Sequence, residues 1–199
     1  VFATIGIHPE MAKDWPFDID AVMPTDMFKN PKIVGIGEIG LDYHYGMEFK
    51  NQQIELFEKQ LAIARAAQLP VAIHTREAEE DTKRILDGSV GGVMHCYTSS
   101  WELAKNMLDR GFFFSASGIV TFKNSTELRE TFAKIPNDRI VIETDAPFCA
   151  PVPFRGKQTE PAMVVETARV LADIKNLQLE EFADILAEKT KKLYPKIKL

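Results

Sequence analysis

Apolar residues in this chain fall into short runs separated by longer amphipathic stretches. The runs at residues 2–7, 33–38, 70–74, 91–96, 112–117 and 139–145 are rich in Val, Ile and Phe, and most are continuous rather than alternating. Continuous apolar runs of this length suit strands covered on both faces of a parallel sheet. Between them the period changes. Residues 47–68 place Phe49, Ile54, Phe57, Leu61 and Ala64 near a three–four spacing, which predicts a long amphipathic helix. Further helices are predicted over 77–87, 101–110, 125–134, 161–175 and 180–193, with Ser100 and Asn124 as N-caps and Gly111 as a C-terminal stop. Residues 9–31 are the least regular, because Pro9, Pro16, Pro24 and Pro31 break any long helix.

The pattern is a βα unit repeated six times, with no internal sequence repeat, low-complexity segment or linker. One α/β domain over residues 1–199 is expected. Repeated right-handed βα units give either an open doubly wound sheet or a barrel. A TIM-type (β/α) barrel is favoured by the candidate chemistry set out below. A complete barrel of that kind has eight strands and about 250 residues. The expectation is therefore six βα units, with the first two missing. The opening residue, Val1, already lies in a strand-like run, which fits that expectation.

Composition narrows the function classes. The net charge of −5 argues against a broad cationic face for duplex DNA, while leaving room for a small basic site. The apolar stretches are strand-sized, so neither a membrane-spanning helix nor a membrane partner is expected, and no signal-peptide pattern opens the chain. Two cysteines, Cys96 and Cys149, make no disulfide framework, so a reducing, cytoplasmic setting is the default expectation.

The chemistry gathers at the ends of the runs. His8, Glu38, His74, His95 and Asp145 each close one, and three of the four histidines in the chain are among them. In parallel sheets and βα barrels the C-terminal strand ends share one mouth, where active sites lie. Imidazole nitrogen and carboxylate oxygen are the common ligands of zinc, manganese and related ions. Glu38, His74 and His95 suit a catalytic ion with an open position for water. Asp145 could then hold a second ion or take a proton from water. Each residue alone has a plainer explanation, a capping carboxylate or a surface imidazole. The coincidence of so many such ends favours one shared site.

Gly37-Glu38-Ile39-Gly40-Leu41-Asp42-Tyr43, Ile73-His74-Thr75-Arg76-Glu77-Ala78, His95-Cys96-Tyr97-Thr98-Ser99 and Glu143-Thr144-Asp145-Ala146-Pro147-Phe148 occur in that order. Gly6-Ile7-His8-Pro9, Ser117–Lys123, Pro151–Lys157 and Glu160-Pro161 accompany them. This ordered set resembles the TatD family of metal-dependent deoxyribonucleases over nearly the whole chain. The resemblance implies an amidohydrolase-type TIM barrel that hydrolyses DNA phosphodiesters with one or two divalent ions (Mg, Mn or Zn). It also implies that Glu38 is the carboxylate shared between two ion positions, that His74 and His95 complete one of them, and that Asp145 faces the other and the attacking water. Glu38 and Asp145 would then be catalytic as well as ligands. The family begins with a strand carrying a His-x-His pair, and this sequence has none.

The remaining candidates concern substrate. His8, before Pro9, is read as a substrate contact or a support for a ligand, with a structural histidine as the alternative. Arg76 could reach a phosphate through its guanidinium fork, or pair with Glu77 or Glu80. Arg155 and Lys157, in a Pro-rich loop, could contact phosphate or be merely solvated. Cys96, next to His95 on a strand, is expected to face away and pack as a small apolar residue. Phe112, Phe113 and Phe114 are expected in the core. Gly35-Ile36-Gly37-Glu38-Ile39-Gly40 matches a dinucleotide fingerprint, but no helix is expected after it and its carboxylate would repel a pyrophosphate. The partner expected is DNA, single-stranded or at its ends, bound by a monomer. Two alternatives stay open: an amidohydrolase-type enzyme acting on an ester, amide or lactone, and a truncated non-catalytic barrel that binds a partner.

Overall fold

All six apolar runs are strands in the computed structural model, which describes residues 1–198. They are β1 (Ala3–Ile5), β2 (Ile33–Asp42), β3 (Val71–Arg76), β4 (Gly92–Met94), β5 (Phe113–Ala116) and β6 (Ile140–Ile142). The helices are α1 (Ile19–Val22), α2 (Tyr43–Gly46), α3 (Lys50–Ala67), α4 (Glu79–Ile85), α5 (Trp101–Asp109), α6 (Thr126–Lys134), α7 (Val164–Lys175) and α8 (Leu179–Leu193). The chain gathers into two compact units. One comprises residues 1–95 with the closing stretch from 193, and the other residues 96–192.

In the first unit the strand order is β1-β2-β3-β4, all parallel. Val71, Ile73, Ile36, Ile39, Leu41 and Met94 are fully buried, as continuous apolar runs require. β2 does not stop at Glu38 as its apolar run suggests; it continues four residues to Asp42. Two glycines allow this. A Cβ at Gly37 would lie 2.6 Å from the Ala72 Cβ, and one at Gly40 would overlap the His74 carbonyl oxygen. Gly40 also has φ +140°, a conformation that side chains disfavour. Glycine therefore lets β2 lie hard against β3, with Gly40 paired to His74. The glycine-rich run is strand throughout this stretch, but contrary to expectation one turn of helix, α2, follows it directly after Asp42. The glycines serve the contact with β3 rather than the start of that helix, and this removes the dinucleotide reading.

Helix α3 covers these strands with a face that sequence periodicity described only in part. Leu56, Phe57, Leu61 and Ala64 are buried as expected, but Phe49 precedes the helix and Ile54 is only half-buried. Two glutamines take the vacant places. Gln53 and Gln60, each 1% exposed, stand seven residues apart, so two helical turns put them on one face. Gln60 accepts the Ile7 N–H at 2.7 Å and donates to the Ile7 carbonyl at 3.0 Å. Gln53 accepts the Asp42 N–H at 2.7 Å and donates to the carbonyls of Asp42 (2.8 Å) and Gly46 (2.9 Å). These amides satisfy backbone groups just where β1 and β2 run out of ladder partners. The prolines of residues 9–31 coexist with short turns of 3-10 helix at Pro9–Asp14 and Thr25–Lys29. At the far end of the chain, Lys196 donates to the carbonyls of Phe28 and Asn30 rather than standing in a solvated tail.

In the second unit β5 and β6 pair in parallel. Phe112 and Phe114 are fully buried and Phe113 nearly so, as expected. Ser100 caps α5 by accepting the Leu103 N–H at 3.2 Å, and Gly111, with φ +81°, ends it. The cap of α6 is Ser125, not Asn124. The turn closed by Ser125 N–H to Phe122 O, at 3.1 Å, carries the chain one residue further before the helix begins. Among the described residues no helix is long and apolar enough to cross a membrane.

Two substitutions test this account. Gln60→Ala would strand the buried Ile7 N–H and carbonyl and is expected to cost about 1–3 kcal/mol in denaturant unfolding. Gly40→Ala, which adds a clash to an unfavourable φ, should cost at least about 2 kcal/mol. A Gly40→Ala protein as stable as the parent would contradict the close approach of β2 and β3.

Candidate metal centre

Glu38 lies within β2 rather than at its end, with a register shift between Ile36 and Ile39 on either side of it. Its carboxylate, 30% exposed, meets three imidazoles. Oε1 lies 2.7 Å from His74 Nδ1 and 3.6 Å from His8 Nε2, and Oε2 lies 3.6 Å from His95 Nε2. His74 comes from β3. His95 follows β4 directly, and its N–H donates to the Ile73 carbonyl at 2.9 Å. Three of the four strongest sequence candidates, Glu38, His74 and His95, are thus brought together within the first unit.

His8 joins them more closely than the sequence suggests. Its Nδ1 accepts the Glu10 N–H at 3.3 Å and caps the Pro9–Asp14 turn, which leaves Nε2 facing Glu38. Its ring meets His74 edge-on at 4.8 Å. Ligand atoms of His8, Glu38 and His74 all lie within 4.8 Å of one another, a spacing fit for a cation. Gln60, holding both polar groups of Ile7, fixes the backbone that carries this imidazole.

Asp42 is the residue that sequence reasoning missed. It is 1% exposed, and its Oδ2 lies 2.9 Å from His74 Nε2, on the opposite side of the ring from Glu38. Its Oδ1 accepts the Tyr45 N–H at 2.9 Å and caps α2. A signal existed: Glu38 and Asp42 are four residues apart on one strand, where alternate side chains share a face. The arrangement suits a ligand histidine, with one nitrogen turned to the ion and the other donating to a carboxylate. Nδ1, on the side of Glu38 and His8, is the nitrogen placed to ligate.

The electrostatics follow from this packing. Burial works to raise the Glu38 pKa, but the hydrogen bond with His74, the nearness of the His8 imidazole and the nearby charges of His95 and His74 together hold it well below the usual carboxylate range. Burial also works to lower the His74 pKa. The carboxylates of Glu38 and Asp42 outweigh it, and the pKa is raised. Without an ion, the proton on His74 supplies the positive charge that this pair of carboxylates needs.

The other candidates are placed differently. Asp145 belongs to the second unit, three residues beyond β6, with φ +55°. Its Oδ2 accepts from the Cys149 thiol at 3.3 Å. Cys96 does not face away under helices. Its φ of +40° breaks the strand alternation, and its thiol donates to Ser117 Oγ at 3.1 Å. Its N–H donates to Glu143 Oε2 at 3.2 Å. The hydrogen bond to Cys149, then burial and the charge of Glu143, push the Cys96 thiol pKa far up. Among the described residues Arg76 pairs with neither of the expected glutamates; its guanidinium lies 4.7 Å from the ring centre of Tyr45, while Glu77 meets His44 at 2.6 Å. Arg155 lies 3.6 Å over the Phe122 ring, and Lys157 lies 5.7 Å from that of Phe154; both are exposed.

A half-buried carboxylate ringed by imidazoles is a candidate metal-ligand set. The family described as TatD related DNase matches residues 1–195. The chain belongs to the TatD family. Its class is that of the metal-dependent hydrolases. It is 43% identical to the uncharacterized metal-dependent hydrolase YabD of Bacillus subtilis (strain 168), over 98% of this chain and 77% of that protein. It is 40% identical to the uncharacterized metal-dependent hydrolase YcfH of Escherichia coli (strain K12), over 98% of this chain and 74% of that one. Among solved structures, the TatD homolog YJJV from Escherichia coli K12 superposes with a TM-score of 0.89 at 26% identity, covering 98% of this chain and 76% of that chain.

The titrations of Glu38 and His74 make opposite contributions to stability in the metal-free protein. The Glu38 contribution is complete above its ordinary value of 4.5 and is lost as pH falls through its depressed value. The His74 contribution is complete below its ordinary value of 6.5 and is lost as pH rises through its raised value. In chelator, thermal stability is therefore expected to be greatest between 4.5 and 6.5 and to decline on the alkaline side. A divalent ion must displace the His74 proton, so its affinity should rise with pH across that same alkaline decline, with proton release measurable by calorimetry in buffers of different ionisation enthalpy.

Proposed function

We propose that this chain is a deoxyribonuclease that hydrolyses phosphodiester bonds with a divalent ion held at Glu38, His74 and His95. The observation that carries the reading is Glu38 itself, a carboxylate kept ionised within reach of His8, His74 and His95. A charge so placed can share a cation among ligands drawn from three strands and the turn after β1. An ion bound there would polarise a phosphoryl oxygen and lower the pKa of bound water.

The chain's own residues do the rest. Asp42 accepts the His74 Nε2 proton and so keeps Nδ1 available as a ligand. Gln53 holds the Asp42 backbone, so the orientation of that carboxylate is set by helix α3 rather than by a mobile loop. Glu38 remains anionic as ligands assemble, because the imidazoles around it depress its pKa. Asp145 is assigned the role of accepting the proton of the attacking water, on the family resemblance of the Glu143-Thr144-Asp145 motif. Arg76, Arg155 and Lys157 are assigned to phosphate, where each guanidinium or ammonium offsets backbone charge.

Single-stranded DNA, or a strand end, is the substrate form this reading favours. The net charge of −5 leaves no wide cationic face. Tyr45 is exposed, with the Arg76 guanidinium 4.7 Å from its ring centre. An aromatic face beside a cation can stack a base and pair its phosphate.

Wild-type protein supplied with Mg, Mn or Zn is expected to degrade single-stranded oligonucleotides faster than duplexes with blunt ends. It should leave ester, amide and lactone substrates intact. His74→Ala and Glu38→Gln should each reduce this activity by at least about a hundredfold. Asp42→Asn should reduce metal affinity by about tenfold to a hundredfold while leaving the protein folded. Full nuclease activity in His74→Ala would refute the assignment.

A further inference from the structure

We infer that Cys96, Cys149 and Asp145 form a second site, distinct from the Glu38 cluster, for a thiophilic divalent cation of the zinc or cadmium class. All three residues belong to the second unit. Cys96 Sγ, Cys149 Sγ and a carboxylate oxygen of Asp145 lie within 4.8 Å of one another. Ligand atoms bound at about 2.3 Å around a tetrahedral ion stand about 3.8 Å apart, so closure needs shifts of about 1 Å or less.

The backbone is arranged to bring these groups together. Asp145 and Cys149, with φ +55° and +56°, bracket a tight turn closed by the Phe148 N–H to Asp145 O bond at 2.8 Å. The turn aims the Cys149 thiol at Asp145 Oδ2, 3.3 Å away. Cys96 reaches the same point from the end of another segment, turned by its own φ of +40° and held by Ser117 Oγ at 3.1 Å. Ser117 is buried and so fixes the thiol from behind.

Ligand chemistry selects the ion. Two sulfurs with one carboxylate prefer soft or borderline cations and discriminate against Mg, whereas the Glu38 cluster offers only nitrogen and oxygen. Binding displaces the two thiol protons to solvent and leaves one position for water. The hydrolytic reading uses neither thiol. It does use Asp145, so an ion seated here would occupy the residue that the reaction needs as a base.

Cadmium is the probe, added to fully reduced whole protein, because its thiolate complexes absorb in the near ultraviolet. Wild type should bind one equivalent per chain with this charge-transfer band. Cys149→Ala and Cys96→Ala should each abolish the band while keeping the native circular dichroism spectrum. Asp145→Ala should retain it with affinity weaker by about tenfold or more. The double variant Glu38→Gln/His74→Ala should keep the band unchanged, which separates this site from the hydrolytic centre. Absence of the band in reduced wild type would overturn the proposal. So would a band of equal strength and affinity in Cys149→Ala.

Discussion

The contact between Glu38 and His74 is the constraint on which the first unit is built. A carboxylate oxygen and an imidazole nitrogen stand 2.7 Å apart where β2 and β3 lie closer than most side chains allow. Gly37 and Gly40 supply that closeness, one against Ala72 and the other against the His74 backbone. The electrostatics then reinforce the geometry. Burial alone would discharge Glu38 and deprotonate His74, yet each outweighs that cost for the other, and Asp42 adds to it from the far side of the ring. The positive charge can be a proton or a metal ion.

Helix α3 serves this contact as well as the core. Its apolar positions bury against the strands, while Gln53 and Gln60 act on the backbones that carry Asp42 and precede His8. A buried glutamine has two donors and an acceptor, enough to satisfy the N–H and carbonyl of one residue at once. Leucine in either place would fit the amphipathic pattern better and would leave those groups unpaired. The polar interruption of the helix face is thus a requirement of strand ends that have no further ladder partner.

Much of this was legible in the sequence. Continuous apolar runs revealed the strands because burial on both faces removes the alternation, and chemical type alone singled out Glu38, His74 and His95. What escaped had no pattern of its own. Asp42 was given no role, since the apolar run ended at Glu38 while the strand continues through the glycines to Asp42. Gln53 and Gln60 went unmarked, because periodicity ranks side chains by hydrophobicity and cannot see a backbone in need of partners. Cys96 was misplaced because strand alternation assumes extended backbone, and a single left-handed residue reverses the face. His8 was seen, but its nearness to Glu38 depends on a turn capped by its own ring nitrogen.

The left-handed residues carry one further step. Non-glycine side chains at positive φ are costly, and they persist where surrounding contacts over-determine them. In the second unit Cys96, Asp145 and Cys149 are all of this kind, and all three converge on one another. Packing does not explain the expense, since none is a large core residue. In the first unit the non-glycine residues at positive φ are Gln68 and Glu77, neither of which belongs to the Glu38 cluster, and that cluster offers nitrogen and oxygen alone. Softness of the ligand atoms therefore divides the two clusters more sharply than charge does, since carboxylates occur in both.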